Sequence, residues 1–86
     1  RRVPDGSYEF SGRIEITTLN DTFHLDIPEN DEYQTLMGYI LHSTGAIPEQ
    51  GEIIILDNLR FEILKKSATR LELIGVTEII TENSEQ

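Results

Sequence analysis

Residues 31–52 read DEYQTLMGYILHSTGAIPEQGE, and this stretch decides the predicted fold. Asp31, followed three residues later by Gln34, is typical of a helix N-cap with a capping box. Apolar side chains then recur at spacings of three and four residues and form one helix face: Tyr33, Leu36, Met37, Ile40 and Leu41. Gly45 is placed to end the helix in a left-handed conformation, and Pro48 prevents the helix from continuing. The stretch therefore predicts an amphipathic helix that leads into an apolar strand.

Three strands are predicted after this helix. The first contains three consecutive isoleucines at residues 53–55, and such a β-branched run predicts a central strand covered on both faces. A two-residue turn at residues 57–58 leads into the second strand, at residues 59–65. Alternation over residues 70–79 predicts the last strand, with Leu71 and Leu73 pointing inward. Short turns between these strands predict an antiparallel meander.

The chain before the main helix predicts a strand, a short helix and a connector. Residues 7–14 alternate as a half-buried strand, in which Gly12 marks a close approach by another part of the chain or a bend. Apolar residues at helical spacing predict a short helix over residues 15–23. Residues 24–28 are predicted to be extended. Gly38, inside the main helix, is predicted to let that helix approach the sheet, and contact with another chain is the alternative.

The predicted order β–α–α–β–β–β defines an α+β protein. We expect a two-layer sandwich in which two helices cover a mostly antiparallel, four-stranded sheet. The domain is predicted to cover residues 3–80. Residues 81–86 are polar and acidic, and we expect them to form a disordered tail.

The charge balance restricts the classes of partner. Sixteen acidic residues against seven basic ones give a formal net charge of −9, which disfavours nucleic acid and anionic lipid as partners. Divalent cations or a basic protein surface fit this charge, although a high charge also serves solubility alone. The chain has no cysteine and no apolar run of membrane-spanning length, so we expect no disulfide and no membrane insertion by this piece. It begins with Arg1 rather than methionine, which predicts a piece of a longer protein.

The acidic loop before the main helix is the candidate metal site. Glu29, Asp31 and Glu32 carry carboxylate oxygens, the ligands that Mg²⁺ and Ca²⁺ prefer. The alternating ligands and the turning glycine of a calcium loop are missing, however. The favoured interpretation is a solvated loop in which Asp31 caps the helix.

Residue chemistry points to contacts rather than to catalysis. His24 and His42 are the only histidines, and they belong to a predicted connector and a predicted helix, so neither is assigned as a metal ligand or base. No motif places a nucleophile beside a base, so we expect no enzyme. Tyr33, Tyr39 and the exposed edge strand of the sheet are candidate contact points, and tyrosine suits interfaces. The alternative is that both tyrosines lie at the rim of the core.

The chain resembles the CorC/HlyC transporter-associated domain over about residues 3–79. The most specific part of the resemblance is Thr35-Leu36-Met37-Gly38, followed by Gly45, Ile47-Pro48 and Gly51-Glu52. Further matching residues are Asp5-Gly6-Ser7-Tyr8, Gly12, Leu19-Asn20, Leu25-Asp26-Ile27-Pro28, Phe61, Ile63 and the strand from Arg70. Asp57-Asn58 departs from the pattern, since family members often have a glycine in this turn.

The resemblance implies a role in a larger membrane protein. Family members lie at the C-terminus of magnesium and cobalt efflux proteins and haemolysin-like proteins, after a transmembrane domain and a pair of CBS modules. This implies a non-catalytic regulatory domain on the cytoplasmic side of the inner (plasma) membrane. Its implied partners are the CBS modules and the transmembrane domain of the parent protein, or a second copy in a homodimer. The fold is also grouped with FAD-binding domains, so a flavin adenine dinucleotide or adenine nucleotide module is one alternative. A divalent-cation sensor is the other.

Overall fold

The structure is a computed structural model that describes residues 2–3 and 7–79. The predicted disordered tail, residues 81–86, lies outside the described residues. The elements follow the order β1 (Arg2–Val3), β2 (Ser7–Phe10), α1 (Ile16–Phe23), α2 (Leu36–Thr44), β3 (Ile53–Leu56), β4 (Leu59–Lys66) and β5 (Leu71–Glu78). No described helix is long and apolar enough to cross a membrane.

The sheet is antiparallel, with the strand order β1-β2-β5-β4-β3. Four of its strands are those predicted, and the two-residue β1 extends the β2 side. The two predicted helices are present, and their buried residues share one core with the sheet. The predicted α+β sandwich is confirmed.

The core is built from the inward faces of the sheet and both helices. Leu36 and Ile40 of α2 are fully buried in this core, as the helical spacing predicts. Leu25 and Ile27 of the connector are also buried, so the chain between the helices closes one side of the core. The remaining buried residues are Phe10, Ile16, Leu19, Tyr33, Tyr39, Ile54, Leu59, Phe61, Ile63, Leu71, Ile74 and Val76.

The predicted central position of the isoleucine strand is wrong. β3 is the last strand in the sheet order, and it pairs with β4 only. Ile53 is 47% exposed and Ile55 57% exposed, whereas Ile54 points into the core. A β-branched run predicts a strand, but it does not predict whether that strand pairs with one neighbouring strand or with two. The other side of β4 is occupied by β5, which leaves β3 at the edge.

β2 ends earlier than predicted, because the chain turns away after Phe10. Gly12 is the reason that this turn packs closely. Its N–H donates to the carbonyl oxygen of Leu71 at 3.0 Å, and its own carbonyl oxygen accepts from the N–H of Met37 at 2.9 Å. A Cβ at position 12 would lie 2.4 Å from the Leu71 oxygen. The predicted close approach at Gly12 is confirmed, and it joins β5 to the first turn of α2.

The inward orientation predicted for Leu73 is wrong. Leu71 and Ile74 are fully buried, whereas Leu73 is only half-buried. The β4–β5 register shifts between Ile63 and Lys65 and again between Lys65 and Lys66. Such an irregularity changes which residues share a face. Simple alternation along β5 therefore fails at this point.

The N-terminus of α2 lies later than the sequence pattern predicts. Thr35 is the N-cap, and its Oγ1 accepts a hydrogen bond from the N–H of Gly38 at 3.1 Å. Asp31 lies four residues earlier, in the loop, so the predicted capping box is wrong. Gly38 consequently belongs to the first turn, where a Cβ would lie 3.0 Å from Tyr33 Cβ and 3.3 Å from Thr35 Oγ1. It allows close packing with the cap Thr35 and with Tyr33 rather than with the sheet.

Replacing the two candidate caps distinguishes these arrangements. We expect Thr35→Ala to lower the free energy of unfolding by about 1 kcal/mol, because the Gly38 N–H loses its acceptor. Asp31→Ala should change it by less than about 0.5 kcal/mol, since Asp31 is an exposed loop residue. Urea denaturation followed by circular dichroism measures both. A larger loss for Asp31→Ala than for Thr35→Ala would contradict this assignment.

Candidate functional site

Two of the three predicted metal-site carboxylates lie on one groove. Glu29 and Asp31 border an open groove of about 440 Å³ between the acidic loop and the start of α1. The other residues that line it are Ile16, Thr17, Asn30 and Gln34. Glu32 is not among them, and its Oε1 lies 3.7 Å from Nε2 of His42. The structure therefore places Glu32 beside a residue of α2 rather than on the groove.

Asn20 positions this loop. Its side-chain amide donates to the carbonyl oxygen of Ile27 and accepts from the N–H of Ile27, both at 2.8 Å. Its Nδ2 also lies 3.5 Å from Oε2 of Glu29. No sequence pattern predicts this role for Asn20, whose only local signal is its low helix propensity within a short helix. Asn20 thus ties the connector to α1 and orients one wall of the groove.

The groove offers oxygen ligands but no assembled metal centre. Among residues 7–79, no group of three or more histidine, aspartate or glutamate side chains is arranged to hold a metal ion. Mg²⁺ bound by one or two carboxylates usually keeps several waters. The metal role of Glu29 and Asp31 stays a prediction.

The two histidines lie on separate elements. His24 ends α1 in a left-handed conformation with φ 56°, and its N–H donates to the carbonyl oxygen of Asn20 at 3.1 Å. His42 lies on α2, where its ring packs 5.3 Å from the ring of Tyr33 and its Nε2 faces Glu32. The first histidine terminates a helix and the second covers the edge of the core.

The two candidate contact tyrosines are core residues. Their rings lie 5.4 Å apart, and Tyr39 also packs edge-on against Phe61 at 5.9 Å. The Tyr33 hydroxyl donates to the carbonyl oxygen of Pro28, and the Tyr39 hydroxyl donates to Oδ2 of Asp57. The structure gives both residues a packing role. Their role in contacting a partner stays a prediction.

Asp57 connects the hairpin turn to α2. Asp57 and Asn58 both have positive φ, at 51° and 66°, as a two-residue hairpin turn requires. The predicted turn is confirmed, but Asp57 also accepts the hydrogen bond from Tyr39. Burial, that hydrogen bond and the negative charge of Asp57 raise the pKa of Tyr39 above its usual value. Burial and the charge of Asp57 likewise raise the pKa of Tyr33.

Removing the Tyr39 hydroxyl tests this link. We expect Tyr39→Phe to lower the free energy of unfolding by about 1 kcal/mol at neutral pH, since the bond to the exposed Asp57 is lost. The raised pKa of Tyr39 also predicts that stability declines above about pH 10, where the unfolded tyrosine ionises but the folded one does not. The decline should be shallower in Tyr39→Phe. Denaturant titrations at several pH values from neutral to alkaline measure both effects, and an equal decline in the two proteins would contradict them.

The outer face of the sheet is not covered by any described element. Arg60 Nη1 lies 3.7 Å from Glu62 Oε1, and the hydroxyls of Ser7 and Thr77 are hydrogen-bonded at 2.9 Å. A shallow groove of about 230 Å³ runs over these strands. The exposed isoleucines of β3 continue this face to the edge of the sheet. The outer face is therefore polar over its middle strands and apolar along β3.

No glycine-rich loop accompanies the flavin analogy within the described residues. Gly45 ends α2 with φ 83°, Gly51 has φ 89° before β3, and Gly12 packs on Leu71. A dinucleotide site usually gathers its glycines between one strand and one helix. The flavin and adenine nucleotide hypotheses remain fold analogies.

Fold and surface together define a small α+β domain with one open sheet face. The model of the transporter associated domain family, CorC_HlyC, matches residues 1–79. The chain belongs to this family, as the sequence resemblance indicates. The family is described by its association with transporters rather than by an enzymatic activity.

Curated relatives are much longer than this chain. A UPF0053 protein of Synechocystis is 30% identical over 83 residues, which cover 93% of this chain and 18% of the relative. The magnesium and cobalt efflux protein CorC of Buchnera aphidicola is 26% identical over 77 residues, covering 90% of this chain and 26% of the relative. The chain thus spans about a fifth to a quarter of these proteins.

Solved structures share the fold over nearly the whole chain. The transporter associated domain from Nitrosomonas europaea is 30% identical, with a TM-score of 0.80, and the match covers 91% of this chain and 93% of that one. The corresponding domain of a CBS domain protein from Porphyromonas gingivalis is 27% identical, with a TM-score of 0.76 and coverage of 93% and 97%. Both are similar to this chain over more than nine-tenths of its length.

Proposed function

We propose that this chain is a regulatory domain of a larger, CBS-containing membrane ion transporter. The observation that carries the proposal is the family match over residues 1–79, combined with relatives of which the chain spans only a small part. The similar CorC protein is named for magnesium and cobalt efflux, and a similar structure comes from a CBS domain protein. On this proposal the domain lies on the cytoplasmic side of the membrane and modulates transport through protein contacts.

The structure supports a contact role through its surface. The helices are packed on one face of the sheet, so the opposite face and the β3 edge remain available to a partner. Exposed isoleucines on that edge are costly in water and gain free energy when they are covered. A docking domain needs such a surface, together with a core that stays folded when the partner leaves.

Deleting the domain from its parent protein tests the proposal. We expect the parent without residues 1–79 to reach the membrane but to show altered magnesium efflux and an altered response to ligands of its CBS modules. The isolated chain should bind the purified CBS region in calorimetry. Unchanged transport on deletion, together with no binding to the CBS region, would refute the proposal.

A divalent-cation sensor is the second candidate, favoured by the groove that holds Glu29 and Asp31 with two amide side chains. We expect calorimetry with Mg²⁺ at physiological salt to give a saturable signal that Asp31→Asn weakens several-fold, because the ligand charge falls. Glu72→Gln is the matched control, since Glu72 is an exposed acid on β5 outside this groove. Equal weakening by both variants would indicate diffuse screening and exclude the sensor.

A further inference from the structure

The edge strand β3 exposes side chains and backbone at the same two residues. Within the described chain, no strand lies beyond β3. The Ile63 N–H donates to the Glu52 carbonyl oxygen at 3.0 Å. This bond shows which residues of β3 direct their backbone groups toward β4. Backbone groups in such a ladder point alternately toward and away from the neighbouring strand. Ile54 therefore bonds toward β4, whereas the N–H and C=O groups of Ile53 and Ile55 point away from the sheet.

β3 is short, at four residues, but within residues 53–56 it has no charged residue, proline or bulge to block pairing. Natural edge strands carry lysine, proline or a bulge that blocks pairing with another chain. Residues 53–56 are Ile-Ile-Ile-Leu, and their register with β4 is continuous. Ile53 and Ile55 present their side chains on the outer face, 47% and 57% exposed. An added strand would thus gain main-chain hydrogen bonds and apolar contact at the same residues.

The acidic residues around β3 indicate the charge of a segment that could pair with it. β3 lies between Glu52 and Asp57. Asp57 also lines an open groove of about 260 Å³ together with Asp26 and Glu78. In a chain of net charge −9, these groups favour a basic partner.

A second copy of this chain fits less well. It would bring another charge of −9 to the same edge. Two half-exposed isoleucines per copy also contribute far less than the roughly 1,200–2,000 Å² of a stable interface. Residues 80–86 contain two glutamates and no basic residue, so this segment lacks the matching charge as well.

We propose that β3 binds, by strand addition, an extended segment that has alternating apolar residues flanked by lysine or arginine. The proposal rests on the docking function proposed above and names the surface and the chemistry of the partner. The segment pairs with the outward backbone groups of Ile53 and Ile55 and covers their side chains. Its basic flanks lie near Glu52 and Asp57.

A synthetic peptide, Lys-Lys-Thr-Ile-Thr-Ile-Thr-Lys-Lys, serves as the probe. We expect NMR amide shifts centred on Ile53 and Ile55, and an affinity that falls as salt is raised. Ile55→Pro removes an outward N–H without removing a bond to β4, and should weaken binding about tenfold or more. Ile55→Val keeps both the N–H and the apolar contact, and should bind nearly as the unmodified chain does. The same peptide with glutamate flanks should bind at least about tenfold more weakly.

Several outcomes would overturn this inference. The first is that the lysine-flanked and glutamate-flanked peptides bind with equal affinity, and the second is that Ile55→Pro binds the peptide as tightly as the unmodified chain does. The third is that the NMR amide shifts are confined to another surface. The fourth is that the chain forms a dimer through β3 that the peptide does not displace. A truncated chain, residues 1–79, that binds the peptide much more tightly would show that residues 80–86 occupy the edge, which also overturns it.

Binding to the parent protein separates this inference from the proposed function. If Ile55→Pro binds the parent's CBS and membrane portion as well as the unmodified chain does, strand addition is refuted and the proposed function stands. If the peptide binds at β3 but that portion does not bind, the proposed function fails and strand addition stands.

Discussion

Replacing Phe61 with alanine is expected to lower the free energy of unfolding by about 3–5 kcal/mol. Phe61 lies on β4, is fully buried, and has the buried Ile54 and Val76 as its partners on the two neighbouring strands. The ring of Tyr39 packs against it from α2. Truncation therefore removes contacts in both layers and leaves a cavity where they meet. Small domains have only about 5–15 kcal/mol of stability, so this loss is a large fraction of the total.

Ile53→Ala is the matched control for this prediction. Ile53 belongs to the adjacent strand, but its side chain is on the outer face and is 47% exposed. Its truncation should cost less than about 1 kcal/mol. Chemical denaturation followed by circular dichroism compares the two variants, and Phe61→Leu, which should cost about 1–2 kcal/mol, provides a measurable value if Phe61→Ala does not fold. Similar losses for Phe61→Ala and Ile53→Ala would show that the core does not lie between the sheet and the helices.

Gly12→Ala is expected to destabilise the protein by about 3 kcal/mol, although it adds only a methyl group. The new Cβ would lie 2.4 Å from the carbonyl oxygen of Leu71, and a backbone atom cannot swing aside as a side chain can. Any retreat of residue 12 lengthens its 3.0 Å hydrogen bond to Leu71 and its 2.9 Å bond from Met37. The strain therefore spreads to β5 and to the first turn of α2.

Gly75→Ala tests whether any added methyl has this effect. Gly75 lies within β5, where a Cβ would meet the flexible end of Leu64 at 3.3 Å, on the outer face of the sheet. Leu64 has room to move there, so the change should stay within about 1 kcal/mol. Thermal and urea unfolding of both variants measure the difference. A Gly12→Ala protein as stable as Gly75→Ala would contradict the close contact between residue 12 and β5.

The groove beside Glu29 and Asp31 and the packing of Tyr33 and Tyr39 could be predicted only in part. Glu29 and Asp31 are neighbours in sequence, so their common position in one loop follows from the chain itself. The position of Glu29 depends in part on Asn20, which contacts Ile27 and Glu29 from a different element. The Tyr39–Asp57 hydrogen bond joins residues 18 positions apart in sequence. No local sequence pattern predicts this contact, because the two residues meet only after α2 packs on the sheet.

The sequence by itself determined the main elements, the burial of Leu36 and Ile40 in α2, and the family. These features depend on short-range rules: apolar spacing around Leu36 and Ile40, a left-handed end at Gly45, and alternation along β4. Each is decided by residues within a few positions of one another. The family resemblance follows from such local motifs, and the family model matches residues 1–79.

Only the tertiary structure decided the strand order, the cap of α2 and the faces of β5. The isoleucine strand lies at the edge because β5 takes the other side of β4 and β2 takes the other side of β5. Thr35 caps α2 rather than Asp31, and the register shift turns Leu73 out of the core. The physical reason is common to all three: backbone pairing between distant segments sets these positions, and its free energy depends on the whole sheet rather than on any local run of residues.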